Sequence, residues 1–155
     1  MVFRRIRIFL EMIKFEHSVF ALPFAYIGAL LVERKVPSAH DVVWITLAMV
    51  GARTAAMSLN RIIDREIDAA NPRTANRALP RGLLSVTEVW VYVTLSFGLL
   101  LVAAAQLSPL ALRLFPVAVV VLFVYSYTKR FTWLCDLFLG VALGLAPLGC
   151  WIAIA

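Results

Sequence analysis

The sequence predicts an all-α, multi-span membrane bundle of about five helices, organised as a single domain over residues 1–155, and three observations predict it. Apolar residues make up 63% of the chain and the mean hydropathy is +0.90, far above ordinary globular usage. The apolar residues fall in runs long enough to cross a bilayer, Val89–Leu112 being free of charge throughout. The basic residues sit in short segments between those runs, as expected of a membrane protein with positive-inside topology. That placement also disposes of the reading a net charge of +6 first suggests, because nucleic-acid binding needs a continuous basic face.

Taken in order, Met1–Glu16 alternates Ile, Phe and Leu with Arg4, Arg5, Arg7 and Lys14 and reads as an amphipathic segment lying on the membrane surface. It carries no small-residue cleavage site of a removable leader. A first span is expected near 17–32, opened by His17 and with Pro23 as a kink. His17 fits either a proton-transfer group or a polar residue at headgroup level. A polar link with Pro37 leads to a second span near 41–59. Arg53 lies inside it, where an unpaired guanidinium costs at least ~2.5–3.5 kcal/mol, so it should face a wet cavity or a carboxylate. Residues 60–88 form a motif loop, followed by spans near 89–107, 112–127 and 136–155. Cys135 and Cys150 would stand roughly 22 Å apart on one helix, too far for a disulfide, and read as small apolar fillers. Gly28, Gly51, Gly98, Gly140 and Gly144 are placed for close helix contact.

With the N-terminus cytoplasmic, eleven Lys and Arg fall on that side against Arg34, Lys35 and Arg113 on the other. This puts the motif loop and a second polar cluster, Tyr125–Arg130, on one face of the membrane.

The stretch Arg53–Gly82 concentrates nine charged residues in a mostly hydrocarbon protein. Asn60, Asp64 and Asp68 are spaced i, i+4, i+8, so a helix running unbroken from near Asp41 stacks them on one face, about 6 Å apart per step. Asn71-Pro72 stops that helix. Arg73, Arg77 and Arg81 then populate a loop closed by Pro80 and Gly82. Two carboxylates and a carboxamide opposite a guanidinium-rich loop suit Mg²⁺ on a polyphosphate, since Mg²⁺ takes one or two carboxylates and keeps its other positions for water and phosphate oxygens. Arginine forks bind the remaining phosphate oxygens bidentately. A solvated loop whose acidic and basic residues pair with one another is the alternative.

The N-R-x2-D-x3-D run at Asn60–Asp68, the R-T-x2-R-x-L-P-R-G tail at Arg73–Gly82, the segment Lys14–Phe24 (KFEHSVFALPF) and Tyr125–Arg130 (YSYTKR) together span nearly the whole chain. With these motifs the sequence resembles the UbiA superfamily of intramembrane aromatic prenyltransferases, in the 4-hydroxybenzoate polyprenyltransferase-like branch. The resemblance implies an enzyme moving a polyprenyl group from its diphosphate to 4-hydroxybenzoate or a dihydroxynaphthoate, for ubiquinone or menaquinone. It also implies that Asn60, Asp64 and Asp68 hold Mg²⁺, and that Arg73, Arg77, Lys129 and Arg130 take up charge on the departing diphosphate. Arg53 is a candidate, on charge alone, for the acceptor's carboxylate. Tyr125 either shields the allylic cation with its ring face or packs as an ordinary interfacial tyrosine. The isoprenoid would lie between helices in contact with the bilayer, and the localisation implied is a bacterial inner membrane with the motif loops cytoplasmic.

The family carries about nine membrane helices and a second aspartate-rich motif. Here the acidic residues after Asp68 are Glu88 and Asp136 alone. The expectation is therefore the first half of such a fold, truncated within its last helix or completed by a second chain. A non-catalytic membrane subunit that binds a polyprenyl diphosphate or a partner is the competing function. A phosphatidyl-group transferase would need a D-G-x2-A-R run, which the sequence lacks.

Overall fold

The apolar runs become helices in the computed structural model, which describes residues 2–33, 37–128 and 135–154. In chain order these are α1 (Val2–Met12), α2 (Glu16–Glu33), α3 (Ala39–Ile63), α4 (Arg65–Ala70), α5 (Val86–Leu107), α6 (Pro109–Thr128) and α7 (Cys135–Ile154), with no strand among the described residues. Length and hydropathy suit α3, α5 and α6 to crossing a membrane, and Glu16–Leu31 and Gly140–Ile154 are shorter apolar stretches. Large apolar side chains such as Phe20, Phe24, Leu95, Val120 and Leu143 are exposed on the bundle's outside, the surface a bilayer would solvate.

Local chemistry sets the helix ends. Ser38 caps α3 by accepting from the Asp41 N–H at 3.2 Å. Ser85 and Glu88 form a reciprocal capping box at the start of α5, with bonds of 3.1 and 2.8 Å. Ser108 accepts from the Ala111 N–H at 3.1 Å and so turns the chain sharply from α5 into α6. At the end of α1, Lys14 takes φ 55°, and the Phe15 N–H reaches back to the Leu10 carbonyl at 3.1 Å. A Schellman reversal of this kind usually employs glycine.

Packing is dominated by α3 against α5 and by α2 against α7, with α6 leaning on α5, α7 and α3. Two of the five expected glycine contacts are realised: a Cβ on Gly28 would lie 2.6 Å from the Pro147 carbonyl oxygen, and one on Gly51 2.8 Å from that of Ser96. A Cβ on Gly98, Gly140 or Gly144 would meet nothing within 4 Å among the described residues of other elements. Close approach depends on which face a neighbour takes, and residue type alone does not say that. Cys150 is buried beside Ala25, Ala29 and Ile45, as the small apolar filler the sequence suggested.

The second apolar cluster lies at the motif end. Phe9, Met12 and Ile13 at the end of α1 pack with Ala78, Leu79, Leu84 and Val89, and Phe9 meets the Tyr92 ring at 4.0 Å between centroids. Arg5 adds an ion pair to Glu88. The inner side of α1 thus clamps the arginine-rich loop, while Phe3, Ile6 and Leu10 remain exposed on its outer side. Truncating Phe9 to Ala should cost about 3 kcal/mol and raise amide exchange across residues 78–84. An unchanged melting curve and unchanged loop protection would show that α1 does not hold the loop.

Candidate functional site

The last turns of α3 and the first of α4 carry the polar face that the spacing predicted, with one modification. The helix is interrupted at Asp64, whose φ of −86° and ψ of 0° lie in the bridge region frequented by active-site residues. Its N–H still bonds the Asn60 carbonyl at 3.0 Å, and its own carbonyl accepts from Asp68 at 2.7 Å. The chain therefore bends at Asp64 without losing the stacking of the three residues. Asn60, Asp64 and Asp68 retain only 8, 6 and 5% of their exposure, so this face is an interior one and not a solvated charge run.

The loop is shaped to return a guanidinium to that face. Two successive turns, Thr74 N–H to Asn71 carbonyl at 2.9 Å and Arg77 N–H to Thr74 carbonyl at 3.0 Å, fold residues 71–77 back. The Thr74 hydroxyl donates to the Asp68 carbonyl at 3.0 Å, which ties the loop to α4. Arg77 Nη1 then donates to both carboxylate oxygens of Asp68, each at 2.7 Å.

In the sequence Arg61 is one of the nine charges of the Arg53–Gly82 stretch and the arginine of the N-R-x2-D run, with no site role assigned to it. Its Nε donates to the Met12 carbonyl at 3.3 Å, and its guanidinium lies within electrostatic reach of Arg77, Asp68, Asp64 and Tyr125. Its spacing held a signal: three residues before Asp64 is a neighbouring position on a helix. Arg53 is half-buried about two helical turns deeper along α3, within reach of Tyr125, and its Nε is buried with no hydrogen-bond partner among the described residues.

The structure thus draws Asn60, Asp64, Asp68, Arg77 and Tyr125 to one end of the bundle, adds Arg61, and sets Arg53 beneath. Arg73 does not join them. Its side chain is exposed, and its backbone N–H bonds the Asn71 side chain at 3.0 Å. Lys129 and Arg130 lie outside the described residues.

The donors that could hold a metal on this face are two carboxylates and a carboxamide. These are hard oxygen ligands only, and no cluster of three or more His, Cys, Asp or Glu forms among the described residues. Such a set fits a cation that leaves most of its coordination to water and phosphate, whereas zinc sites draw chiefly on His and Cys.

Fold and site together define a polytopic membrane protein with a buried acidic face flanked by arginines at one membrane surface. The chain belongs to the UbiA prenyltransferase family, which it matches over residues 21–155. It is 32% identical over 124 residues to the 4-hydroxybenzoate octaprenyltransferase of Vibrio atlanticus, covering 80% of this chain and 44% of that protein. It is 35% identical over 115 residues to the enzyme of the same name from Aliivibrio salmonicida, covering 72% and 39%. The chain therefore spans less than half the length of these relatives. The apo structure of a UbiA homolog from Aeropyrum pernix K1 superposes with a TM-score of 0.85 at 40% identity, over 89% of this chain and 50% of the other. A homolog from Archaeoglobus fulgidus, solved with DMAPP and Mg²⁺, shares the fold with a TM-score of 0.78 at 22% identity, over 94% and 54%.

Proposed function

We propose that this chain holds a polyprenyl diphosphate through Mg²⁺ at its Asn60/Asp64/Asp68 face. It then takes part in transferring the polyprenyl group to an aromatic hydroxy acid, 4-hydroxybenzoate or a dihydroxynaphthoate, in ubiquinone or menaquinone synthesis. The observation that carries this reading is the burial of two carboxylates and an amide in a membrane bundle with two arginines, Arg61 and Arg77, at their edge. The names of the relatives and the Mg²⁺ and DMAPP bound by the Archaeoglobus homolog support it.

Mg²⁺ held by Asp64, Asp68 and Asn60 would supply positive charge to the diphosphate oxygens. Arg77, already aimed at Asp68, would share its remaining N–H groups with those oxygens, and Arg61 would add a second fixed cation at the same edge. With Lys129 and Arg130 it would complete the cationic surround. In the transfer, the bond between the prenyl C1 and the diphosphate oxygen breaks, and its electron pair leaves with the diphosphate. The ring carbon beside the acceptor's hydroxyl forms the new bond to C1 and then loses its proton. Arg53, with its buried unpartnered Nε, would anchor the acceptor's carboxylate. Tyr125, within reach of both Arg53 and Arg61, would line the space between the two substrates and present its ring to the allylic cation. The prenyl tail would leave toward the bilayer between helices. The loop-side charge bias supports a cytoplasmic position for this face, and the bundle would sit in a bacterial inner membrane. A second chain would supply further diphosphate ligands if more are needed.

The test uses membranes carrying the chain, a labelled prenyl diphosphate, Mg²⁺ and each acceptor in turn, with EDTA and Asp64→Ala as controls. Mg²⁺-dependent retention of label together with product, both abolished in the controls, is expected. Retention without product from either acceptor would mark a non-catalytic membrane subunit that binds the diphosphate. Label retained equally with and without Mg²⁺ would overturn the site itself.

A further inference from the structure

A groove of about 310 Å³ lies between α3, the start of α4, α5 and α6, lined by Leu59, Ile62, Ile63, Arg65, Glu66, Val86, Trp90, Phe123 and Tyr127. It is set off from the acidic face: Leu59 and Ile62 project roughly 100–160° away from Asn60 and Asp64 around a 3.6-residue turn, and Ile63 roughly 60° from Asn60 and 100° from Asp64. The elements meet here at one end of the bundle, the end of α3, the start of α5 and the end of α6. This is the level at which the chain leaves the apolar spans and enters the charged loop. Trp90 and Tyr127 are 41 and 45% exposed, placed as aromatic residues are at a headgroup boundary. The floor is hydrocarbon and aromatic, and the rim carries one cation and one anion. Arg65 and Glu66 are both exposed, and neither takes part in an ion pair among the described residues. Adjacent residues on a helix do not face each other, so each charge is presented to whatever fills the groove.

We infer that the groove is a binding site for a zwitterionic phospholipid bearing a primary amine, of the phosphatidylethanolamine class. An acyl chain would lie on Ile62, Ile63, Trp90 and Phe123, the phosphate would meet Arg65, and the ammonium would donate to Glu66. Arg65 alone would favour any anionic lipid; Glu66 opposes that choice, because it repels a headgroup carrying a phosphate and no cation. A quaternary ammonium has no N–H to give the carboxylate, so a choline headgroup satisfies half of the rim. The ligand class thus follows from the pair of charges and not from the apolar floor, which any lipid would fill. The site is independent of the prenyl-transfer reading and stands or falls without it.

The experiment is native mass spectrometry of the full chain in detergent, with phosphatidylethanolamine, phosphatidylglycerol and phosphatidylcholine of identical acyl chains in competition. Phosphatidylethanolamine should be retained about fivefold over the other two, the discrimination one interfacial charge contact supplies. Glu66→Gln should remove that preference, and Arg65→Gln should weaken all three. Both residues are exposed, so neither change threatens folding. Trp90→Ala should lower retention of every lipid, which locates the adduct in this groove. Equal retention of the three lipids, a preference that survives Glu66→Gln, or an adduct insensitive to Trp90→Ala would each overturn the assignment.

Discussion

Replacing Asp68 with Asn should lower Mg²⁺-dependent retention of a prenyl diphosphate by about a hundredfold or more, a loss typical of removing a preorganised charged group from a buried site. The substitution is nearly isosteric, so the loss measures charge and not packing. The side chain is buried, and both of its oxygens are engaged by Arg77 Nη1 at 2.7 Å. The amide of Asn accepts through one oxygen and cannot neutralise the guanidinium. Arg77→Gln should cost less, about tenfold, because Arg61 remains at the same edge to meet the phosphate oxygens. The two losses should not add, since the side chains touch. Equilibrium retention of labelled prenyl diphosphate by the wild type, the two single variants and the double variant decides it. Retention within a few fold of wild type in Asp68→Asn would remove this carboxylate from the proposed site.

The largest structural effect is expected at Gly51. A Cβ there would lie 2.8 Å from the Ser96 carbonyl oxygen and 3.1 Å from the Leu100 nitrogen. Both are backbone atoms of α5, which no rotamer change can move aside. Gly51→Val should therefore drive apart the most extensive helix pair of the bundle, at a cost of about 3 kcal/mol or more. Gly98→Ala is the control, because a Cβ at Gly98 would meet nothing within 4 Å among the described residues of other elements and the exchange improves helix propensity by roughly 0.5–1 kcal/mol. Thermal denaturation in one detergent compares them. A Gly51→Val protein that melts with the wild type would mean that α3 and α5 do not approach as closely as described.

What the sequence made legible is what local periodicity encodes. Asn60, Asp64 and Asp68 share a face because four-residue spacing fixes them to one side of a helix whatever the rest of the chain does. The stop at Asn71-Pro72 and the return of Arg77 belong to the same short range. The Asp64 break was not legible, as no proline or glycine marks it. The contact of Arg61 with the Met12 carbonyl joins residues 49 apart, and no pattern within a helix announces it. The glycines show the same limit: five looked equivalent, and the arrangement of neighbouring helices separates Gly28 and Gly51 from the others. Arg73 reads as a site residue in the motif, yet its side chain points to solvent, since the turn at Asn71 sends it outward and brings Arg77 in.

The clamp of α1 on the arginine-rich loop also has a schedule. Arg5 and Glu88 are 83 residues apart, so the clamp of the N-terminal helix is incomplete until the whole of α3, the loop and the first turn of α5 have been made. At roughly 5–20 residues per second, that is an interval of several seconds in which an amphipathic helix with two apolar sides is already outside the ribosome. During it, the bilayer surface is the one available place to bury those side chains. The first helix would thus be parked on the membrane before it becomes a clasp, and the acidic face would close only once the chain has looped back to meet it.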